Sequence, residues 1–193
     1  MKKRVAVICE FSGVVRDALR ERGHDAWSYD LLPDEQGSPY HVQGDVLTQD
    51  FRGFDMGICH PPCTDLTIAG ARHFRKKLQR NPDVIFNAAQ FAMQLWNLPI
   101  PQLALENPIG LLSNWMKPHQ IIQPRFFGEA ELKATCLWLR GLPKLHPTLI
   151  IPKSECQPRV HWEAPGPERW KNRSRTLFGI AWAMATQWGD FEL

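Results

Sequence analysis

The chain has 193 residues, of which 44% are hydrophobic and 22% charged, with a net charge of +3, and this is the composition of an ordinary soluble globular protein. No apolar run approaches the roughly 20 residues of a membrane span, and the run after the basic start is too short for a secretory signal, so we expect a cytoplasmic protein without a membrane partner. The five cysteines fit neither a disulfide framework nor the usual spacing of zinc ligands, which favours reduced thiols and no metal.

The first elements along the chain form a β-α-β unit. The apolar run RVAVICEF predicts a buried parallel strand, and SGVVRDALRERGH predicts a helix that is capped by Ser12 and ends at Gly23. DAWSYD predicts a second strand, which ends at Asp30. After a turn-rich loop, HVQGDVLTQDF predicts a short third strand that ends at Gly44 and Asp45.

The middle of the chain carries the most unusual stretch. A predicted strand over FDMGICH runs directly into HPPC, where two consecutive prolines stiffen the backbone in front of Cys63. The basic segment Ala71–Arg80 is expected to be a loop, and PDVIFNAAQFAMQLWNL predicts an amphipathic helix after it. QLALENP then predicts a buried strand whose end carries Glu106 and Asn107.

The second half is richer in proline. KATCLWLRGL predicts a strand, PTLIIP a shorter strand, and SRTLFGIAWAMATQW a closing helix capped by Ser174. Residues between about 140 and 171 are expected to be irregular. Because repeats and clear linkers are lacking, we expect one α/β domain over residues 1–193, with a mostly parallel sheet and helices on both faces.

Polar or reactive side chains follow most of the predicted strands. In open parallel sheets, ligands bind at the carboxyl ends of the strands. The pattern therefore favours an enzyme over a passive scaffold.

The order of these motifs identifies a resemblance. FSG after the first strand, Asp30, GDV, PPC, and ENP about 40 residues after PPC resemble the catalytic domain of DNA cytosine-C5 methyltransferases, which use S-adenosylmethionine. The resemblance covers most of Arg4–Leu112 and, more weakly, the tail KNRSRTLFGIAWAMAT. The chain also looks similar to short methyltransferase-like proteins of phages and prophages. The fold implied is a Rossmann-like S-adenosylmethionine-dependent methyltransferase fold.

The resemblance implies a covalent mechanism. Carbon 5 of cytosine is a poor nucleophile, and addition of a thiolate to C6 makes it a carbanion that accepts a methyl group. Cys63 would be that nucleophile, activated by His60 or a nearby arginine. Glu106 would bind the N3/N4 edge of the base as general acid, and Asn107 would hold the loop. Lys133 would keep one of the positive charges of a family strand, Gln-x-Arg-x-Arg, that is otherwise absent here.

The resemblance also implies the residues that bind the ligands. Asp30 would hold the ribose and Asp45 the adenine of S-adenosylmethionine. The full cofactor set is Phe11, Ser12, Gly13, Asp30, Asp45, Pro61, Asn172 and Ser174. The substrate set is Pro62, Asn107, Arg72, Arg75 and Lys76, the last three as contacts to nucleic acid. Val14, Val15 and Arg16 stand where the family often has glycine.

One region of the family has no counterpart. Only about 30 residues separate Leu139 from Asn172, too few for a target-recognition domain. Three explanations remain open: loose specificity on DNA, either single-stranded or with a flipped base; recognition by a partner protein or a second copy; or a free pyrimidine nucleotide as substrate. A non-catalytic module that binds nucleic acid or blocks restriction is a fourth reading.

Overall fold

The computed structural model describes residues 1–192, and its centre is a seven-stranded sheet. The strands lie in the order β3-β2-β1-β4-β5-β7-β6. Their bounds are β1 Arg4–Ile8, β2 Asp25–Asp30, β3 His41–Gln43, β4 Met56–Cys59, β5 Gln102–Pro108, β6 Gln120–Ile122 and β7 Thr135–Arg140. The first five are parallel, and β7 runs antiparallel between β5 and β6.

Seven α-helices accompany the sheet in the described chain. They are α1 Val14–Glu21, α2 Phe74–Arg80, α3 Val84–Trp96, α4 Leu112–Trp115, α5 Arg159–Trp162, α6 Arg169–Ser174 and α7 Phe178–Gln187. Short 3₁₀ helices lie at Val46–Thr48, Ile68–His73, Pro124–Phe126 and Lys153–Glu155. No helix among residues 1–192 is long and apolar enough to cross a membrane.

The core has two layers because the central strands are buried on both faces. Alternate residues of β1 point to opposite sides, so Val5 and Val7 pack with α1 and α7, whereas Ala6 and Ile8 pack with α3. The fold class expected from the sequence is therefore confirmed: a mostly parallel sheet with helices on both faces.

The order of the strands determines where a ligand-binding crevice can form in the sheet. After β1 the chain turns to β2 on one side, and it later returns to place β4 on the other side. A crevice opens at the carboxyl ends of the strands where the direction of winding reverses. Residues that follow β1, β4 and β5 therefore meet at one edge of the sheet.

Several local expectations are corrected. PTLIIP is not a strand: only Leu149 makes an isolated bridge, to Phe127, and Leu149 and Ile150 are exposed. The sequence reading missed β6, and it did not foresee that β7 is antiparallel. Segment 140–171, expected to be irregular, contains α5 and the start of α6. Ser174 ends α6, whereas α7 begins after Leu177.

Candidate active site

A cavity lies at the carboxyl ends of β1, β4 and β5, and it encloses about 560 Å³ including solvent at its mouth. Four chain segments line it: Cys9–Ser12 after β1, His60–Cys63 after β4, Glu106–Pro108 at the end of β5, and Arg173–Thr176 before α7, with Lys133 completing the wall.

Cys63 lies in the stiff loop that follows β4. Its carbonyl accepts hydrogen bonds from the amides of Leu66 and Thr67, which close a turn behind it. Burial raises the pKa of the Cys63 thiol, and the charge of Glu106 raises it further, while Lys133 acts in the opposite direction. The thiol of the free protein is therefore protonated at neutral pH.

Glu106 is held by His60 from the neighbouring strand. The imidazole Nδ1 lies 3.2 Å from Glu106 Oε2, and both side chains are largely buried. Burial acts to raise the pKa of Glu106, but the hydrogen bond and charge of His60, with Lys133, hold it below its ordinary value. The carboxylate is therefore ionised at neutral pH and lines the same cavity as the thiol.

Asn107 links the two loops that carry these groups. Its side chain is 1% exposed, and Nδ2 donates to the carbonyl of Pro61 at 2.9 Å. A donor on β5 thus fixes the backbone of the HPPC segment.

The loop after β1 is built around Glu10. Its carboxylate accepts the amides of Val15 at 2.7 Å and Arg16 at 3.2 Å, so Glu10 caps α1. The expected cap by Ser12 is wrong, because Gly13 occupies the N-cap position and no side-chain bond to Ser12 forms. Gly13 has φ +72°, and a Cβ there would lie 2.2 Å from the Arg16 guanidinium.

Not all predicted cofactor residues line the cavity. Phe11, Ser12, Pro61 and Ser174 do, whereas Gly13, the residue after Ser12, does not. Asp30 ends β2, and Asp45 follows the end of β3 by two residues; both lie outside the lining. Each accepts a local amide at 2.9 Å, from Leu32 and Leu47 respectively.

The remaining predicted residues divide in the same way. Pro62 and Lys133 line the cavity, whereas Asn172 bonds Glu163 at 2.7 Å outside it. The basic residues Arg72, Arg75 and Lys76 are exposed. Their segment, expected to be a loop, is a 3₁₀ helix followed by α2.

Sequence reasoning did not assign Cys9, Glu10, Arg173, Arg175 and Thr176 to the site. For Glu10 a signal existed, because an acid directly after an apolar strand needs a partner. Arg173 and Arg175 were visible only as part of a basic cluster. No pattern in the neighbouring sequence indicates that these two arginines line the same cavity as the segment after β4.

The loop between β2 and β3 contacts two of the segments that line the cavity. The amide of Glu35 donates to the carbonyl of Phe11 at 3.1 Å. Its carboxylate binds Arg175 through two hydrogen bonds, of 2.5 and 3.0 Å. The loop is thereby tied both to the segment after β1 and to the segment before α7.

Metal chemistry has no evident ligand set in the described residues. Within residues 1–192, no group of three or more His, Cys, Asp or Glu side chains is placed to hold a metal ion.

Comparisons with known proteins support the fold. No family model and no curated protein matches the sequence. The Entamoeba histolytica methyltransferase EhMeth superposes with a TM-score of 0.50 at 14% identity, over 78% of this chain and 58% of that protein. The likeness shows a Rossmann-like S-adenosylmethionine-dependent methyltransferase fold.

Two further solved structures match less well. The Dnmt2 methyltransferase of S. pombe gives a TM-score of 0.42 at 16% identity, over 72% of this chain and 49% of that one. A putative DNA modification methyltransferase from an E. coli prophage gives 0.46 at 14%, over 77% and 51%. The chain thus spans about half to three-fifths of the length of the structures it matches.

Proposed function

We propose that this chain is an S-adenosylmethionine-dependent methyltransferase of the phage type that methylates C5 of cytosine in DNA through covalent addition of Cys63 to C6. The observation that carries the proposal is the meeting of Cys63 and Glu106 in one cavity at the carboxyl ends of the strands. A nucleophile and a carboxylate held by a histidine are the two groups that this chemistry needs.

The loop after β1 favours one class of ligand over another. The Glu10 carboxylate accepts hydrogen bonds from amides in the first turn of α1. In nucleotide-binding folds, the amides at this position commonly bind a phosphate. A ligand with a positive sulfonium centre suits this site better than one with a phosphate.

The proposed cofactor contacts follow from these positions. Phe11, Ser12 and Pro61 would contact S-adenosylmethionine, with Ser174 at the mouth. Asp30 and Asp45, next along the same edge, would bind the ribose and the adenine with the oxygens that their turns leave free. When bound, the cofactor supplies an electrophilic methyl group.

The side chains of the protein then act on the base. The Cys63 thiol gives its proton to solvent as the sulfur bonds to C6, and the electron pair of the C5–C6 bond becomes available at C5. Glu106 takes up a proton from solvent and shares it with N3, and it accepts a hydrogen bond from the amino group of the base, which offsets the charge that develops in the ring. After C5 is methylated, its proton leaves to solvent, N3 returns its proton through Glu106, and the S–C6 bond breaks, restoring the thiolate.

DNA would approach across α2. Arg72, Arg75 and Lys76 on this exposed segment would contact phosphates, and Pro62 with Asn107 would shape the pocket for the base. The segment 140–171 would stand in place of a recognition domain within one catalytic domain. Specificity would then be loose or supplied by a partner or a second copy.

The test is methyl transfer from labelled S-adenosylmethionine to duplex DNA, to single-stranded DNA and to dCMP. We expect C5-methylcytosine in DNA with the wild type and none with Cys63→Ser. Cys156→Ser is the matched control, because that thiol is buried and bonds Pro152 away from the cavity. Full activity of Cys63→Ser would remove the covalent mechanism.

The same assay separates the alternatives. Transfer to dCMP and not to DNA would move the chemistry to a free pyrimidine nucleotide. Absence of transfer to all three, together with no S-adenosylmethionine binding by calorimetry, would identify a non-catalytic module instead.

A further inference from the structure

The segment from Arg169 to Arg175 contains four basic residues, and three of them have partners. Arg169 donates to the carbonyl of Glu163 at 2.7 Å, Lys171 pairs with Glu168 at 3.2 Å, and Arg175 pairs with Glu35. These contacts account for those charges as parts of the local structure. They leave the fourth residue, Arg173, as the exception.

Arg173 faces the cavity without a partner. Its Nε is buried and has no hydrogen-bond partner among residues 1–192, although its residue lines the same cavity as Cys63. A buried donor that is left unsatisfied destabilises the fold, so its retention needs an explanation. An acceptor that enters the cavity would remove this cost.

Lys133 fixes the backbone that carries Arg173. Its ammonium donates to the carbonyl of Arg173 at 3.0 Å and reaches that of Arg175 at 3.5 Å. Lys133 is therefore engaged by carbonyl groups and is not free to turn toward a ligand. The guanidinium of Arg173, which lines the same cavity, remains available to contact a ligand.

We propose that Arg173 is a further active-site residue, whose guanidinium stabilises negative charge on the Cys63 sulfur. The inference rests on the proposed role of Cys63 as the nucleophile. Lys133 acts here as a positioning residue, because it holds the end of α6 against the cavity. The charge of Arg173 lowers the pKa of the Cys63 thiol and so opposes the effects of burial and of Glu106.

The test measures how the alkylation of Cys63 by iodoacetamide depends on pH, without cofactor or DNA. Peptide mass spectrometry separates Cys63 from the other thiols. The other charged and titratable groups that line the cavity are Cys9, Glu10, His60, Glu106, Lys133 and Arg175, and they are the same in every variant. A difference between variants therefore reports the changed residue alone.

We expect Arg173→Gln to raise the pH midpoint of alkylation by about half a unit or more, which is a threefold loss of rate at neutral pH. Arg173→Lys should keep the midpoint close to the wild-type value because it keeps the charge. The matched control, Lys171→Gln, removes a charge from the same helix outside the cavity lining and should leave the midpoint unchanged. Arg173→Met keeps the aliphatic stem and serves as a second neutral variant if Arg173→Gln fails to fold.

An unchanged midpoint in a folded neutral variant, or an equal shift in Lys171→Gln, would overturn the inference. These results would leave the proposed function intact if Cys63→Ser still abolished methyl transfer. Conversely, a wild type that transfers no methyl group defeats the proposed function, while the alkylation profile still decides the placement of Arg173.

Discussion

Arg16 is buried behind the loop that follows β1, and replacing it should destabilise the fold. Its side chain has no exposed surface, and Nη1 donates to Ser28 at 2.8 Å and to Asp34 at 2.5 Å. The contacts to Asp17 add little, because that carboxylate is nearly half exposed. Arg16→Met would leave the buried Asp34 carboxylate without its cation.

The expected loss of stability in Arg16→Met depends on the hydrogen bonds that Asp34 retains. Breaking a buried ion pair by removing one partner costs about 3–5 kcal/mol. Asp34 retains the amides of Gln36 and Ser38, both at 2.9 Å, so we expect a loss near the lower end, about 3 kcal/mol in the free energy of unfolding. Urea unfolding followed by circular dichroism at neutral pH measures it.

The dependence on pH gives the same prediction a second check. Burial acts to raise the pKa of Asp34, but its amide bonds and Arg16 hold it below the ordinary value. The ionised carboxylate therefore stabilises the fold above the ordinary carboxyl pKa, and this stabilisation is lost as pH falls through the lower, folded-state pKa. We expect Arg16→Met to lose stability less steeply than the wild type in this acid range.

The control and the refutation use neighbouring residues. Arg20→Met on the same helix removes a partly exposed guanidinium and should cost clearly less. The double variant Arg16→Met with Asp34→Asn should lose at least about 1 kcal/mol less than the sum of the two single losses. Additive losses, or a loss below about 1 kcal/mol for Arg16→Met, would refute the reasoning.

Three further predictions concern the cavity. Asn107→Leu removes the donor to Pro61, and we expect the kcat of methyl transfer to fall about tenfold or more while S-adenosylmethionine binding by calorimetry stays within about threefold. Glu35→Gln weakens the partly exposed pair with Arg175, a residue that lines the cavity, so dissociation of S-adenosylmethionine in stopped-flow experiments should be about threefold faster. An unchanged rate would contradict a role of this pair in retaining the cofactor. Burial raises the pKa of Glu10, so its ionisation destabilises the folded wild type as pH rises. The free energy of unfolding of Glu10→Gln, relative to that of the wild type, should therefore increase from about pH 4 to 7. A difference between the two that does not change with pH would argue against this.

The sequence predicted the parallel half of the sheet well, because its signals are local. The strands at Arg4–Ile8 and Gln102–Pro108 are continuous apolar runs, as expected of strands covered on both faces. The helix Val84–Trp96 follows an apolar stripe within one turn of its predicted ends. The convergence of Cys63 and Glu106 followed from strand ends meeting at one edge.

The errors arose where long-range contacts decide the structure. PTLIIP has the composition of a strand, but in the structure only Leu149 makes a bridge, and Leu149 and Ile150 remain exposed. Ser12 has the chemistry of a cap, yet the buried Glu10 reaches the same amides from across the turn. Arg173 could not be assigned from spacing, because its place depends on Lys133 binding the carbonyl groups at the end of α6.

Under the proposed function, the charges around Cys63 predict that substrate binding takes part in its activation. In the free protein, burial and the Glu106 carboxylate both raise the pKa of the thiol, and Lys133 and Arg173 oppose them only in part. A base that shares a proton between N3 and Glu106 would neutralise that carboxylate, and the remaining cations would then favour the thiolate. Cys63 would thus stay protonated and unreactive until a pyrimidine ring lies against it, which joins recognition of the base to generation of the nucleophile.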